Sequence, residues 1–166
     1  ASRIAKYLST KYETSTPVDS IICLDGLEVV GAFLAEELAK AGVLSMNAHK
    51  TIYIVTPEFN GNGQLMFRDN IQHMVRNRNV VILMGSITTG ETLRKCMESI
   101  LYYGGTIQGV SAIFSAVNKV AGLDINAVFY KKDVPNYQTQ KASECPMCKT
   151  GQKLDAIVNG YGYSKL

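Results

Sequence analysis

The residues with the clearest chemical potential run from Val80 to Leu93. Five apolar residues, Val80-Val81-Ile82-Leu83-Met84, are too few for a helix and stop at Gly85-Ser86; a helical pattern opens after Ile87-Thr88-Thr89-Gly90-Glu91-Thr92. The order is strand, loop, helix. Amides at a helix N-terminus lack partners within the helix and carry the positive end of its dipole. Thr88, Thr89 and Thr92 add hydroxyl donors, and Gly90 allows the backbone to close around a guest. Ser86, Ile87, Thr88, Thr89, Gly90, Glu91 and Thr92 are therefore candidate ligands of a phosphate. The same spacing suits an ordinary helix cap by Ser86 or Thr88, and spacing alone leaves both readings open.

A second loop, Asp25-Gly26-Leu27-Glu28, follows the apolar run Ser20–Leu24 and offers two carboxylates. Of the four cysteines, Cys23 falls in that run and Cys96 on the helix after the phosphate loop, so both read as small buried residues. Cys145-Pro146-Met147-Cys148 has the spacing of a zinc knuckle. A structural zinc needs four ligands, however, and there is no second C-x-x-C; His49 and His73 are distant in sequence. Zinc on Cys145 and Cys148 is disfavoured, a redox role lacks a βαβ setting before it, and a tight turn is the expectation.

These residues need elements to position them. Ile4, Tyr7, Leu8 and Tyr12 have helical spacing over 2–13. The expected strand Ser20–Leu24 is followed by a helix ending at Gly42, a strand over 51–55, and a Gly- and Asn-rich stretch over 56–64 that fits a mobile lid or a hairpin tip. A short helix over 68–76, the strand and loop above, a helix over 90–103, and strands over 106–117 and 125–130 complete the order. Such alternation predicts an α/β fold: a largely parallel sheet with helices on both faces. Ligands then sit at the C-terminal strand ends where the order reverses, and one crevice can gather the loops at 25–28, 56–64 and 85–92.

At 166 residues with 46% hydrophobic composition, the chain reads as a single domain with a substantial core. Residues 1–17 form an opening helix and linker, and residues 131–166 a tail bearing the C-x-x-C turn. No apolar run reaches the roughly 20 residues of a membrane span, and the first residues lack the apolar core of a signal peptide. Cytoplasm is the expected location. Net charge is +3 with the cations scattered, so neither nucleic acid nor membrane is an expected partner, and a small anionic ligand is.

Val80–Leu93 resembles the phosphoribosyl-pyrophosphate signature of type I phosphoribosyltransferases: apolar strand residues, two adjacent acids, two variable residues, then Thr-Thr-Gly-x-Thr. Ile21–Ala35 is similar to that family's first strand, pyrophosphate loop and helix. Cys145-Pro146-Met147-Cys148-Lys149-Thr150-Gly151 resembles the end of some orotate phosphoribosyltransferases. The resemblance spans about residues 18–153. It implies a phosphoribosyl group moved from its diphosphate donor to a base, Mg²⁺ beside the departing pyrophosphate if the chain is catalytic, a phosphorylated ribose or nucleotide as ligand, and a homodimer; Asp25 and Glu28 are this chain's own candidates to hold that ion. The opening helix and Tyr161-Gly162-Tyr163 are candidate dimer contacts.

The chain departs from the signature in three places. The acids that hold the ribose hydroxyls fall on Met84 and Gly85, with only the Ser86 hydroxyl nearby. Residues 56–67 contain no lysine or arginine, so the loop cation is missing and Arg68 is the first candidate replacement. Asp25 and Glu28 repel a pyrophosphate that carries no metal. Two functions are expected from this combination: a phosphoribosyltransferase with a rearranged site, or a non-catalytic nucleotide sensor on the same fold.

Overall fold

The computed structural model describes residues 1–40, 42, 44–140, 142–159 and 162–166. These fall into two compact units, Ala1–Pro135 and Asn136–Leu166.

The first unit runs α1 (Ser2–Ser9), β1 (Ser20–Cys23), α2 (Glu28–Ala39), β2 (Tyr53–Val55), β3 (Glu58–Phe59), β4 (Leu65–Met66), β5 (Asn79–Ile87), α3 (Glu91–Tyr102), β6 (Thr106–Ser115), β7 (Lys119–Val120) and β8 (Leu123–Tyr130). Six strands form one sheet in the order β2-β1-β5-β6-β8-β7. All neighbours are parallel except β7, which joins β8 antiparallel. The chain starts at β1, moves outward to β2, and returns to place β5 on the other side of β1. Between β1 and β5 the direction of winding reverses, and there the C-terminal strand ends open a crevice.

Successive side chains of a strand face opposite sides, and here both sides are covered. Ile21, Cys23, Val81 and Leu83 pack with Leu8, Leu34 and Leu38 of α1 and α2. Ile22, Val80, Ile82 and Met84 pack with Leu93, Cys96 and Ile100 of α3. Double burial is why β1 and β5 read as unbroken apolar runs. Helices on both faces of a largely parallel sheet are as the sequence predicts.

Several boundaries differ from expectation. The first helix ends at Ser9, because Ser9 Oγ and Thr10 Oγ1 hydrogen-bond to the carbonyls of Lys6 and Tyr7 at 2.8 and 2.7 Å and compete with further helix. Tyr12, expected on that helix, instead lies over Gly109 and shares a 2.7 Å hydrogen bond with buried Ser111. The second helix stops at Ala39, short of Gly42. Residues 56–64 begin a hairpin, with Glu58 opposite Met66 and Phe59 opposite Leu65. The helix expected over 68–76 is only a 3₁₀ turn at Gln72–Met74. There the Gln72 side chain is drawn to the Phe67 carbonyl and the Asp69 carboxylate.

The most consequential difference is at Gly85-Ser86. The strand does not stop there: Ser86 and Ile87 remain paired with Phe114 and Ser115 of β6. The loop is pushed on to residues 88–90.

The second unit holds α4 (Pro146–Lys149) and the antiparallel pair β9 (Ala156–Asn159) and β10 (Gly162–Lys165). Of the aromatic stretch Tyr161-Gly162-Tyr163, Tyr161 lies outside the described residues, and Tyr163 is exposed. Among the described residues no helix is long and apolar enough to cross a membrane.

Candidate functional site

Two side-chain contacts tie three strand ends together. Asp25, just past β1, has φ 58° and is followed by Gly26 at φ 74°. This pair of left-handed residues turns the chain sharply, and Asp tolerates that conformation better than most residues do. The Asp25 carboxylate then lies across β5 and accepts the Gly85 amide N–H at 2.9 Å. Beyond β2, the Thr56 hydroxyl donates to Glu28 at the start of α2, at 3.0 Å. The loops at 25–28, 56–64 and 85–92 are thus neighbours.

The two positions that align with the signature's acids face different ways. Met84 is 2% exposed and sits in the core under α3. Gly85 faces Asp25, and a Cβ added there would stand 3.1 Å from both the Cβ and Oδ2 of Asp25. Asp25 therefore fills the space that a side chain at position 85 would enter.

In the phosphate loop, Gly90 precedes α3 with φ 83° and ψ 4°. Its missing Cβ would stand 2.6 Å from Val120 Cγ2, so both backbone and packing call for glycine. Gly90, the residue at the cap position of α3, has no side chain to cap it, and the Glu91 amide donates to Thr89 Oγ1 in a long bond of 3.5 Å. Neither Ser86 nor Thr88 takes the capping role. Thr88, Thr89, Glu91 and Thr92 are exposed around the start of α3. Ile87 contributes backbone only: its side chain is 2% exposed in the core and its carbonyl accepts the Ala116 amide at 2.8 Å. Ser86 is a strand residue with an exposed side chain.

Arg68, the candidate cation, is engaged by Glu58 of the same hairpin through Nε at 3.0 Å and Nη2 at 2.6 Å. This pairing holds the Glu58 carboxyl below its ordinary value and raises Arg68. A cation absent from the sequence reading is Lys95. Its Nζ would be 3.4 Å from a Cβ on Gly63, so it reaches the hairpin tip. With Asn60, Asn62, Gln64, Glu98 and Tyr102 it lines a cavity of about 690 Å³ between hairpin and α3. Val120 and Thr56 were likewise unmarked in the sequence, because their roles rest on contacts between distant segments.

Among the described residues, no three His, Cys, Asp or Glu side chains gather as a metal site. Mg²⁺ commonly takes one or two carboxylates together with the phosphates of a substrate. Asp25 and Glu28 each already accept one hydrogen bond, from the Gly85 amide and the Thr56 hydroxyl, and they do not make a cage by themselves. Cys145 and Cys148 lie one helical turn apart, with no further ligand gathered beside them among the described residues.

No protein-family model matches the chain. In sequence it is 30% identical over 108 residues to an orotate phosphoribosyltransferase of Chlorobaculum parvum, a stretch covering 64% of this chain and 52% of that protein. The chain thus spans about half the length of this curated relative. In structure it is similar to a hypoxanthine-guanine phosphoribosyltransferase of Bacillus anthracis, with a TM-score of 0.56 at 15% identity over 82% of this chain and 78% of that one. It is also similar to the orotate phosphoribosyltransferase of Aeropyrum pernix, with a TM-score of 0.50 at 20% identity over 78% and 71%. The chain has the type I phosphoribosyltransferase fold, and over 108 residues its sequence is similar to that of an orotate phosphoribosyltransferase.

Proposed function

We propose that the crevice binds the 5-phosphate of a phosphorylated ribose and that the protein transfers a phosphoribosyl group from phosphoribosyl pyrophosphate to a base. The observation that carries this reading is the N-terminus of α3, where Gly90 stands at the cap position with no side chain and Thr88, Thr89 and Thr92 are exposed around it. Phosphate would be held by backbone amides and hydroxyls. The sugar hydroxyls would find Asp25, whose carboxylate has acceptor capacity left beyond its bond to the Gly85 amide. An orotate-type relative and purine-type structural neighbours leave the base to experiment.

Transfer of this kind passes through a sugar cation as pyrophosphate departs, so it depends on placed charge more than on a nucleophile. Mg²⁺ bound with the diphosphate would supply part of that charge, near Asp25 and Glu28. With Met84 turned into the core and Arg68 held by Glu58, two charge-assisted contacts are lacking. Each is worth about 1.5–3 kcal/mol, so turnover is expected to be slow. The reading also carries a homodimer, as the resemblance implies, and the cytoplasmic setting expected from the sequence.

Thermal shift and pyrophosphate release test it together. Ribose 5-phosphate should stabilise the protein, Thr89→Tyr should remove that stabilisation, and pyrophosphate should appear with orotate, hypoxanthine or guanine in the presence of Mg²⁺. Stabilisation with no release across the base panel would leave a nucleotide sensor. No stabilisation by ribose 5-phosphate or by any 5′-mononucleotide would overturn the reading.

A further inference from the structure

The second unit holds a pair of side chains that phosphoribosyl transfer leaves unused. Cys145 precedes α4 with Pro146 at the first helical position. The turn that follows is closed by Lys149 N–H to the Cys145 carbonyl at 3.1 Å, Gln152 N–H to Met147 at 2.9 Å and Gly151 N–H to Cys148 at 3.1 Å. The Thr150 hydroxyl adds bonds to the carbonyls of Pro146 and Met147 at 3.2 and 3.0 Å. One turn of helix sets residues three apart at a Cα separation of about 5 Å, inside the 4.4–6.8 Å range that a disulfide spans. The Cys148 thiol is a hydrogen-bond partner of Cys145.

The pair is asymmetric. Hydrogen bonds from the Cys148 amide and thiol, and from the Met147 amide, hold Cys145 below the ordinary thiol value; the same partnership raises Cys148. Cys148 is exposed and Cys145 partly so, whereas Cys23 and Cys96 are buried and pushed up to about 12. The first pair can react and the second cannot.

We propose that Cys145 and Cys148 form a thiol–disulfide exchange site whose co-substrate is a low-molecular-weight disulfide of the glutathione class. The Cys145 thiolate attacks one sulfur of that disulfide, its S–S bond breaks, and one thiolate leaves and takes a proton from water. Cys148 loses its proton to solvent and attacks the Cys145 sulfur, releasing the second thiol. Two cysteines are oxidised to one intrachain disulfide while the small disulfide is reduced to two thiols, a two-electron exchange.

The test is mass spectrometry of the full chain incubated with oxidised glutathione. Wild type should lose two hydrogens at Cys145–Cys148 and keep no glutathione, with Cys23 and Cys96 unmodified. Cys148→Ser should retain one glutathione on Cys145, and Cys145→Ser should react at least tenfold more slowly at Cys148. A stable mixed disulfide in wild type, or equal reactivity of the two single variants, would overturn the proposal. So would tight binding of one Zn²⁺ per two chains that shields both thiols from alkylation.

Discussion

The Gly85 amide donates to the Asp25 carboxylate at 2.9 Å, across the point where the sheet reverses its winding. This bond joins the end of β1 to β5 and puts a carboxylate where a side chain of residue 85 would otherwise stand. Asp25→Asn keeps an oxygen that can accept the Gly85 N–H and removes the charge. It should leave unfolding stability within about 0.5 kcal/mol and weaken ribose 5-phosphate roughly tenfold while leaving inorganic phosphate unaffected. Isothermal titration with both ligands reads the difference; equal losses for the two would remove Asp25 from the sugar site.

Gly85→Ala brings a methyl group within 3.1 Å of Asp25. The neighbour must yield, at a cost of about 1 kcal/mol in chemical denaturation. Asp25→Gly also relieves the left-handed strain at φ 58°. The double variant should therefore be more stable than the sum of the singles by 0.5 kcal/mol or more, a coupling that additive effects would contradict.

Gly90→Ala combines a left-handed backbone with a methyl group 2.6 Å from Val120. The two costs are about 1–2 and 1–3 kcal/mol. Trimming Val120 to Ala in the same chain should recover the packing part only, leaving the backbone part visible in the urea midpoint.

The Arg68–Glu58 pair is solvent-exposed and should contribute little to stability, but it occupies the guanidinium. Glu58→Gln should free Arg68 and lower the KM for phosphoribosyl pyrophosphate. In the wild type, the depressed Glu58 carboxyl sets the sign with pH. The pair is complete above the unfolded carboxylate value and is lost as pH falls through the folded one. The Arg68 Nε–H resonance should follow that loss in acid.

Burial and its bond to Ser111 place the Tyr12 phenol against β6, and burial pushes it up to about 12 from 10.0. A raised value means stability is full below pH 10 and is lost as pH climbs through 12, by about 2–3 kcal/mol. Tyr12→Phe costs stability at neutral pH, since Ser111 loses its partner, but it should flatten the alkaline loss. Denaturation at pH 7, 10 and 11.5 compares the two slopes; parallel slopes would place the alkaline loss elsewhere.

Local chemistry wrote much of this protein into its sequence. The runs at 20–23 and 80–84 are strands buried on both faces, a state that needs no knowledge of the partner. The Thr-Thr-Gly loop was legible because the demands of a helix N-terminus lie within a few residues. What the tertiary structure decided were matters of pairing. Gly85 and Ser86 looked like a turn, and β6 kept them in the strand. Arg68 looked like a free cation, and Glu58 had taken it. Met84 and Gly85 looked like one missing acidic pair. Strand alternation instead turned Met84 into the core and left Gly85 facing a carboxylate from another loop. A side chain's type is fixed locally, but its neighbour across 60 residues of chain is fixed only when the sheet closes.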